Sequence, residues 1–223
     1  MACAVLGSVW VMPPLTIPID GIYLPVMRSE GPALLPVFRS QYQAELLMWL
    51  LLHPEQEYGV SDLAARLDVP LSTLHREVVR LDRAGLITSR ALGRNRLVRA
   101  DTAHPAASAL TRLLEVTFGP RAVVAEEFAI SGAEQVVIFG SWAARYAGET
   151  GPPPRDIDVL VVGTVDRADL YEAADRTQTR LGIEVNPAVR TAEQWDDPTD
   201  ALVAQIKASS FVVVLDSRDV VRD

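Results

Sequence analysis

One cysteine, one lysine and three histidines are all that 223 residues supply of those types, and each scarcity closes off a class of function. A lone thiol, Cys3, builds neither a disulfide framework nor a cysteine zinc site; it fits a reducing compartment, so the expected location is the cytoplasm. His53, His75 and His104 stand far apart without ligand spacing, which argues against a histidine metal centre. The chain has no apolar run of the ~18–20 residues that span a bilayer, and no membrane partner is expected. The apolar stretch from Ala2 to Met12 lacks a basic flank and makes a poor secretion signal. Apolar residues are nonetheless 49% of the chain, enough for one large core or two small ones.

Charge is scarce in one sign and unevenly placed. The net charge is −8 and the pI about 4.9, which disfavours a general nucleic-acid coat. Residues 60–100, however, carry eight arginines against four acids, a basic island in an acidic chain. A polyanion partner is the usual reason for such an island.

Along the chain, residues 1–37 read as an irregular arm. Pro13, Pro14, Pro18, Pro25 and Pro32 interrupt any helix, and at most one short strand is expected near Ile22–Leu24. Met27 lies close to where recognisable structure begins, so residues 1–26 are expected to be dispensable. From Ser40 a helical stripe of Leu46, Leu47, Leu50 and Leu51 runs to His53-Pro54. Ser61 is the expected N-cap of a short helix to Leu67. A third helix runs from Leu71 to Ala84, with Leu74, Val78 and Leu81 inward and Gly85 as its stop. Leu86–Ala91 and Arg96–Ala100, with a turn at residues 93–95, read as a hairpin.

Helix, helix, turn, helix, hairpin is the order of a winged helix-turn-helix. Residues 38–100 resemble bacterial winged-helix regulators of the ArsR type, notably Asp62–Leu67 and Ser72–Arg76 leading to Leu81–Leu86. The resemblance implies double-stranded DNA as a partner. Ser72, Thr73, His75 and Arg76 would face bases in the major groove, Arg80 and Arg83 phosphates, and Arg94 and Arg96 the wing contacts. It also implies a homodimer, for which the helix expected over 106–118 is the candidate. A linker helix packed on one domain is the equal alternative. Metal sensing through paired cysteines, known in such relatives, has no ligands here.

The most specific signal lies further on. Val136–Phe139 is an apolar strand that runs into Gly140-Ser141 and a short helix. A Pro-rich loop leads to Asp156-Ile-Asp158 at the head of a second apolar strand. Alternate strand residues share a face, so Asp156 and Asp158 stand side by side and repel unless a cation lies between them. Hard oxygen ligands suit Mg²⁺ or Mn²⁺ carrying phosphate oxygens, and a Gly-Ser turn at a helix start suits a phosphate. Arg145, one turn on, is placed either to meet a triphosphate or to form a surface ion pair. This pattern resembles the nucleotidyltransferase superfamily with the DNA polymerase beta-like fold, over roughly residues 120–215, in particular its minimal members. The resemblance implies a third acid on a later strand, for which Glu184, between Ile183 and Val185, is the candidate. It further implies that Asp156, Asp158 and Glu184 bind metal and catalyse transfer, while Gly140, Ser141 and Arg145 bind the NTP. Here the loop before Asp156 is longer than in the shortest members, and the third acid is Glu rather than Asp.

The expected fold class is therefore α+β, a winged helix-turn-helix domain followed by a small nucleotidyltransferase-fold mixed sheet with helices. Expected boundaries are 1–37 for the arm, 38–104 for the DNA-binding domain, 105–120 for the linker or dimerisation helix, and 121–223 for the nucleotidyltransferase domain. The expected function is a DNA-binding regulator transferring NMP from NTP to a protein or RNA acceptor. It would resemble the minimal-nucleotidyltransferase antitoxins, with a toxin-like protein partner. The alternative is a repressor whose second fold senses a nucleotide or binds a protein without catalysis.

Overall fold

The computed structural model describes residues 16–19, 22–25, 37–151 and 153–217. Strands β1 (Thr16–Ile19) and β2 (Ile22–Pro25) pair antiparallel as a sheet of their own. This corrects the irregular arm in part: Ile22–Leu24 is a strand as expected, and β1 was hidden by Pro18, which a two-stranded edge tolerates. Cys3 and Met27 lie outside the described residues.

Helix α1 (Gln41–Leu52) is capped by Ser40, whose Oγ accepts from the Gln43 N–H at 3.2 Å. Leu46 to Leu51 are buried without a break, so this helix has no solvent face over that stretch and is covered from several sides. Strand β3 (Tyr58–Gly59) leads into α2 (Val60–Arg66). The cap is Gly59, two residues before the expected Ser61, because the backbone turns as soon as β3 ends. Helix α3 (Leu71–Arg83) buries Leu74, Val78 and Leu81, and Gly85 follows at φ +73°, a left-handed position suited to glycine. Strands β4 (Ile87–Leu92) and β5 (Asn95–Ala100) form the hairpin, and β3 adds to β5 in the order β3-β5-β4. Three helices followed by a hairpin in a three-stranded sheet make a winged helix-turn-helix. Helices α4 (Ala107–Thr117) and α5 (Pro120–Glu127) follow, the latter with proline in its first turn.

The rest is a mixed sheet with helices. Its elements are β6 (Ala133–Phe139), α6 (Gly140–Tyr146), β7 (Asp156–Gly163), α7 (Arg167–Leu181), β8 (Glu184–Arg190), α8 (Ala192–Asp196), α9 (Ala201–Lys207) and β9 (Val212–Asp216). The order is β8-β7-β6-β9, antiparallel except for the parallel pair β7–β8, which α7 connects. Alternation sorts the core. Val136, Ile138, Ile157, Val159 and Val161 pack with Val124 of α5, Phe128 just after it and Leu170 of α7 on one face. Val137, Leu160 and Val162 pack with Trp195, Val203 and Ile206 from α8 and α9 on the other. Helix α8 went unpredicted; five residues show no periodicity, although Thr191 and Gln194 form a full capping box.

Candidate functional site

Two chemistries were expected, and each set of residues has a definite place. In the sheet, β6 ends at Phe139, opposite Asp158 in register. Gly140 then turns at φ +68° to open α6. The left-handed turn favours glycine at 140, and a Cβ there would lie 2.5 Å from Asp158 Oδ2, so the carboxylate sits directly against the turn. The Gly-Ser turn and Asp-x-Asp strand, separated by the 142–155 segment, thus meet at one end of the sheet. Asp156 and Asp158 point to the face that α8 and α9 cover further along β7, but they lie ahead of that cover and remain half-exposed.

Burial pushes the Asp158 carboxyl above its usual range, the charge of Asp156 adds to this, and a hydrogen bond from Asn186 opposes it. An ionised Asp158 is therefore under electrostatic pressure that a cation would relieve. Two carboxylates with room for phosphate oxygens fit one hard divalent cation such as Mg²⁺, which binds through one or two carboxylates and completes its shell elsewhere. A cavity of about 420 Å³ opens beside them, lined by Ser141, Ala144, Arg145, Pro153, Pro154, Arg155 and Asp156. Arg155 is exposed and makes no ion pair among the described residues; the sequence signal for it was its position next to Asp156.

Two expected members of the site stand differently. Glu184 is the first residue of β8, exposed and level with Asp156. It is not gathered with the aspartates: no group of three or more His, Cys, Asp or Glu among the described residues is placed to hold a metal. Asn186, level with Asp158, reaches them instead. Its Nδ2 donates to Asp156 Oδ2 at 3.1 Å and to Asp158 Oδ1 at 3.2 Å. Arg145 turns back to α4, where it pairs with Glu115 Oε1 at 2.8 Å. Glu115 is 6% exposed, so this bond neutralises an otherwise buried charge, and Arg145 is held at the rim of the cavity. Next to it the Tyr146 hydroxyl donates to the Glu115 carbonyl and accepts from the Arg121 N–H. Burial drives its pKa well above the ordinary value.

On α3, a groove of about 400 Å³ is lined by His75, Arg76, Val79, Arg80 and Arg83. Ser72, His75, Arg76 and Arg83 are exposed, and Thr73 accepts from Arg76 Nη2 at 3.3 Å. Arg83 and, on the β4–β5 turn, Arg94 are free of ion pairs among the described residues. Arg80 is held by Glu77 at 2.5 Å. Arg96 departs from the expectation. Its Nη2 donates to Asp82 and Ser89, both at 2.8 Å, so from next to the β4–β5 turn it reaches back to tie the hairpin to α3. Likewise Arg90 is taken by Glu57. Among the described residues no helix is long and apolar enough to cross a membrane.

No protein-family model matches the chain, and no curated protein matches it in sequence. Solved structures resemble parts of it, and the three described next each cover less than half of the chain. Reduced HlyU from Vibrio cholerae is 24% identical over 37% of this chain and 82% of its own, with a TM-score of 0.31. A cysteine-to-serine mutant of Lactococcus lactis ZitR in complex with DNA is 18% identical over 48% and 72%, with a TM-score of 0.31. A tri-AMPylated HEPN toxin of Shewanella oneidensis in complex with MNT antitoxin is 14% identical over 44% and 75%, with a TM-score of 0.28. At this level of similarity the fold rests on the order and pairing of the chain's own elements.

Proposed function

We propose that this chain is a DNA-binding regulator whose winged helix-turn-helix reads duplex DNA and whose mixed-sheet unit binds a nucleoside triphosphate with Mg²⁺. The observation that carries the second half is the packing of Asp158 against the Gly140 turn, which brings paired carboxylates next to the Gly-Ser backbone. Asp156 and Asp158 hold the cation, and the Gly140 and Ser141 N–H groups and the Ser141 hydroxyl receive the phosphates. Arg155 adds a positive charge, unpaired among the described residues, at the rim. Mg²⁺ would supply charge neutralisation between carboxylates and phosphate. For the first half, the exposed polar face of α3 has the charge and length to enter a major groove, with Arg94 reaching alongside.

Nucleotidyl transfer to a protein or RNA hydroxyl is the second reading, favoured by the intact Asp-x-Asp. A homodimer across α4 is a companion proposal, supported by Val116, which is 44% exposed on that helix. A toxin-like protein partner is what the antitoxin resemblance implies.

Calorimetry with ATP, GTP, CTP and UTP in Mg²⁺, alongside selection from a randomised duplex library, tests both halves. Binding of at least one nucleotide only with Mg²⁺, and enrichment of an inverted repeat, is the expected result. No nucleotide binding removes the second half; sequence-blind DNA binding removes the first.

A further inference from the structure

This inference rests on the reading of Asp156 and Asp158 as the nucleotide–metal pair, and it concerns how many cations that pair can hold. The parallel register of β7 and β8 leaves two positions on the carboxylate face of β8 near the pair, Glu184 and Asn186. Only Asn186 touches the aspartates, and it touches both, at 3.1 and 3.2 Å. Glu184 is exposed at the strand's first residue, and the described residues hold no three-ligand group of acids, histidines or cysteines. The position on β8 level with Asp158, the one that contacts both aspartates, is filled by a neutral amide.

From this we infer that Asn186 limits the site to a single divalent cation per nucleotide, so that the protein binds the triphosphate without transferring it. An amide N–H₂ donates to the charged form of both carboxylates and holds them together when no cation is present. When one ion arrives, the amide can turn its oxygen inward, but that oxygen brings no charge. A second ion would then share carboxylates that the first already neutralises. That second ion is the one that lowers the pKa of an attacking hydroxyl in two-metal chemistry. Without it no acceptor oxygen bonds to the α-phosphorus, and the Pα–O–Pβ link stays whole. The nucleotide leaves as it came, and occupancy rather than turnover is the signal available to the DNA-binding half.

The test counts ions. Wild type, Asn186→Asp and Glu184→Gln are titrated with Mn²⁺ by electron paramagnetic resonance, with the α,β-methylene analogue of ATP present. One ion per chain is expected for wild type and for Glu184→Gln, and two for Asn186→Asp. Wild type incubated with α-labelled NTPs is expected to label neither itself nor added RNA. Two ions in wild type, loss of an ion in Glu184→Gln, or label transfer overturns the inference while leaving nucleotide binding in place. No ion and no nucleotide bound by wild type overturns the site assignment itself, and this inference with it.

Discussion

His53, just past the end of α1, donates from Nε2 to the carbonyl of Leu181, the last residue of α7, at 2.8 Å. The bond crosses from the winged helix-turn-helix to the mixed sheet, 128 residues apart in sequence. Around it the Trp49 ring lies 4.2 Å from the Arg66 guanidinium and 4.8 Å from the His53 ring. Arg66 itself donates to Thr179 O at 3.4 Å. Gly182 has no space for a Cβ, because one would collide with Trp49.

Since a carbonyl can only accept, His53 must keep its Nε2 proton, and burial, assisted by Arg66, lowers its pKa below the usual 6.5. The unfolded chain therefore binds a proton at higher pH than the folded one. Stability holds above pH 6.5 and falls as the pH drops toward the folded-state value. Melting temperatures from pH 8 to pH 5 should decline more steeply for wild type than for His53→Gln, which keeps a donor but does not titrate. Equal slopes would show that this imidazole is not the titrating joint.

Asp158 titrates in the opposite sense. Its pKa is raised by burial and by Asp156, so ionisation works against the fold, and stability falls as the pH climbs from 3.8 through the raised value. Asp158→Asn should raise the melting temperature at pH 7 without metal and abolish Mg²⁺-dependent nucleotide binding. DNA affinity in the absence of nucleotide should not change. A lower melting temperature would mean that the carboxylate serves the fold and not a ligand.

On DNA the three wing and helix arginines should separate. Arg76→Ala should cost about 1–3 kcal/mol on the selected site and relax its sequence, if it reads a guanine. Arg94→Ala should weaken all sequences alike and lower the salt slope by about one. Arg96→Ala should act through the fold, costing roughly 0.5–1 kcal/mol of stability for a half-exposed ion pair. Fluorescence anisotropy across a salt series, with urea melts beside it, distinguishes these outcomes.

Removing Arg145 leaves Glu115 buried without its cation. Arg145→Ala should cost about 1–3 kcal/mol in urea unfolding, whereas Arg145→Ala with Glu115→Gln should recover most of it. Nucleotide affinity should change less than stability. A large fall in affinity at unchanged stability would restore Arg145 to the triphosphate.

The sequence carried the long elements well because their buried positions recur at helical or strand spacing, as in Leu74, Val78 and Leu81. It also carried the meeting of Gly140 with Asp158, which a fixed pair of motifs announces. What it could not carry depends on register and on partners from elsewhere. Glu184 and Asn186 share one face of β8, and alternation treats them alike; only the pairing with β7 puts Asn186 against the aspartates. The sequence left Arg145 between a phosphate and an ion pair and read Arg96 as a wing contact, because their partners Glu115 and Asp82 lie on separate helices that no local pattern joins to them. Strand β3 has two residues and no pattern at all.

Leu52, the last residue of α1, packs against the core of the winged helix-turn-helix and also against the core between the sheet and α5 and α7. With the His53 and Arg66 bonds beside it, neither unit can lose its core without exposing part of the other's. Heat absorption should accordingly form a single cooperative peak, with calorimetric and van't Hoff enthalpies in agreement, where two tethered domains would melt in two steps.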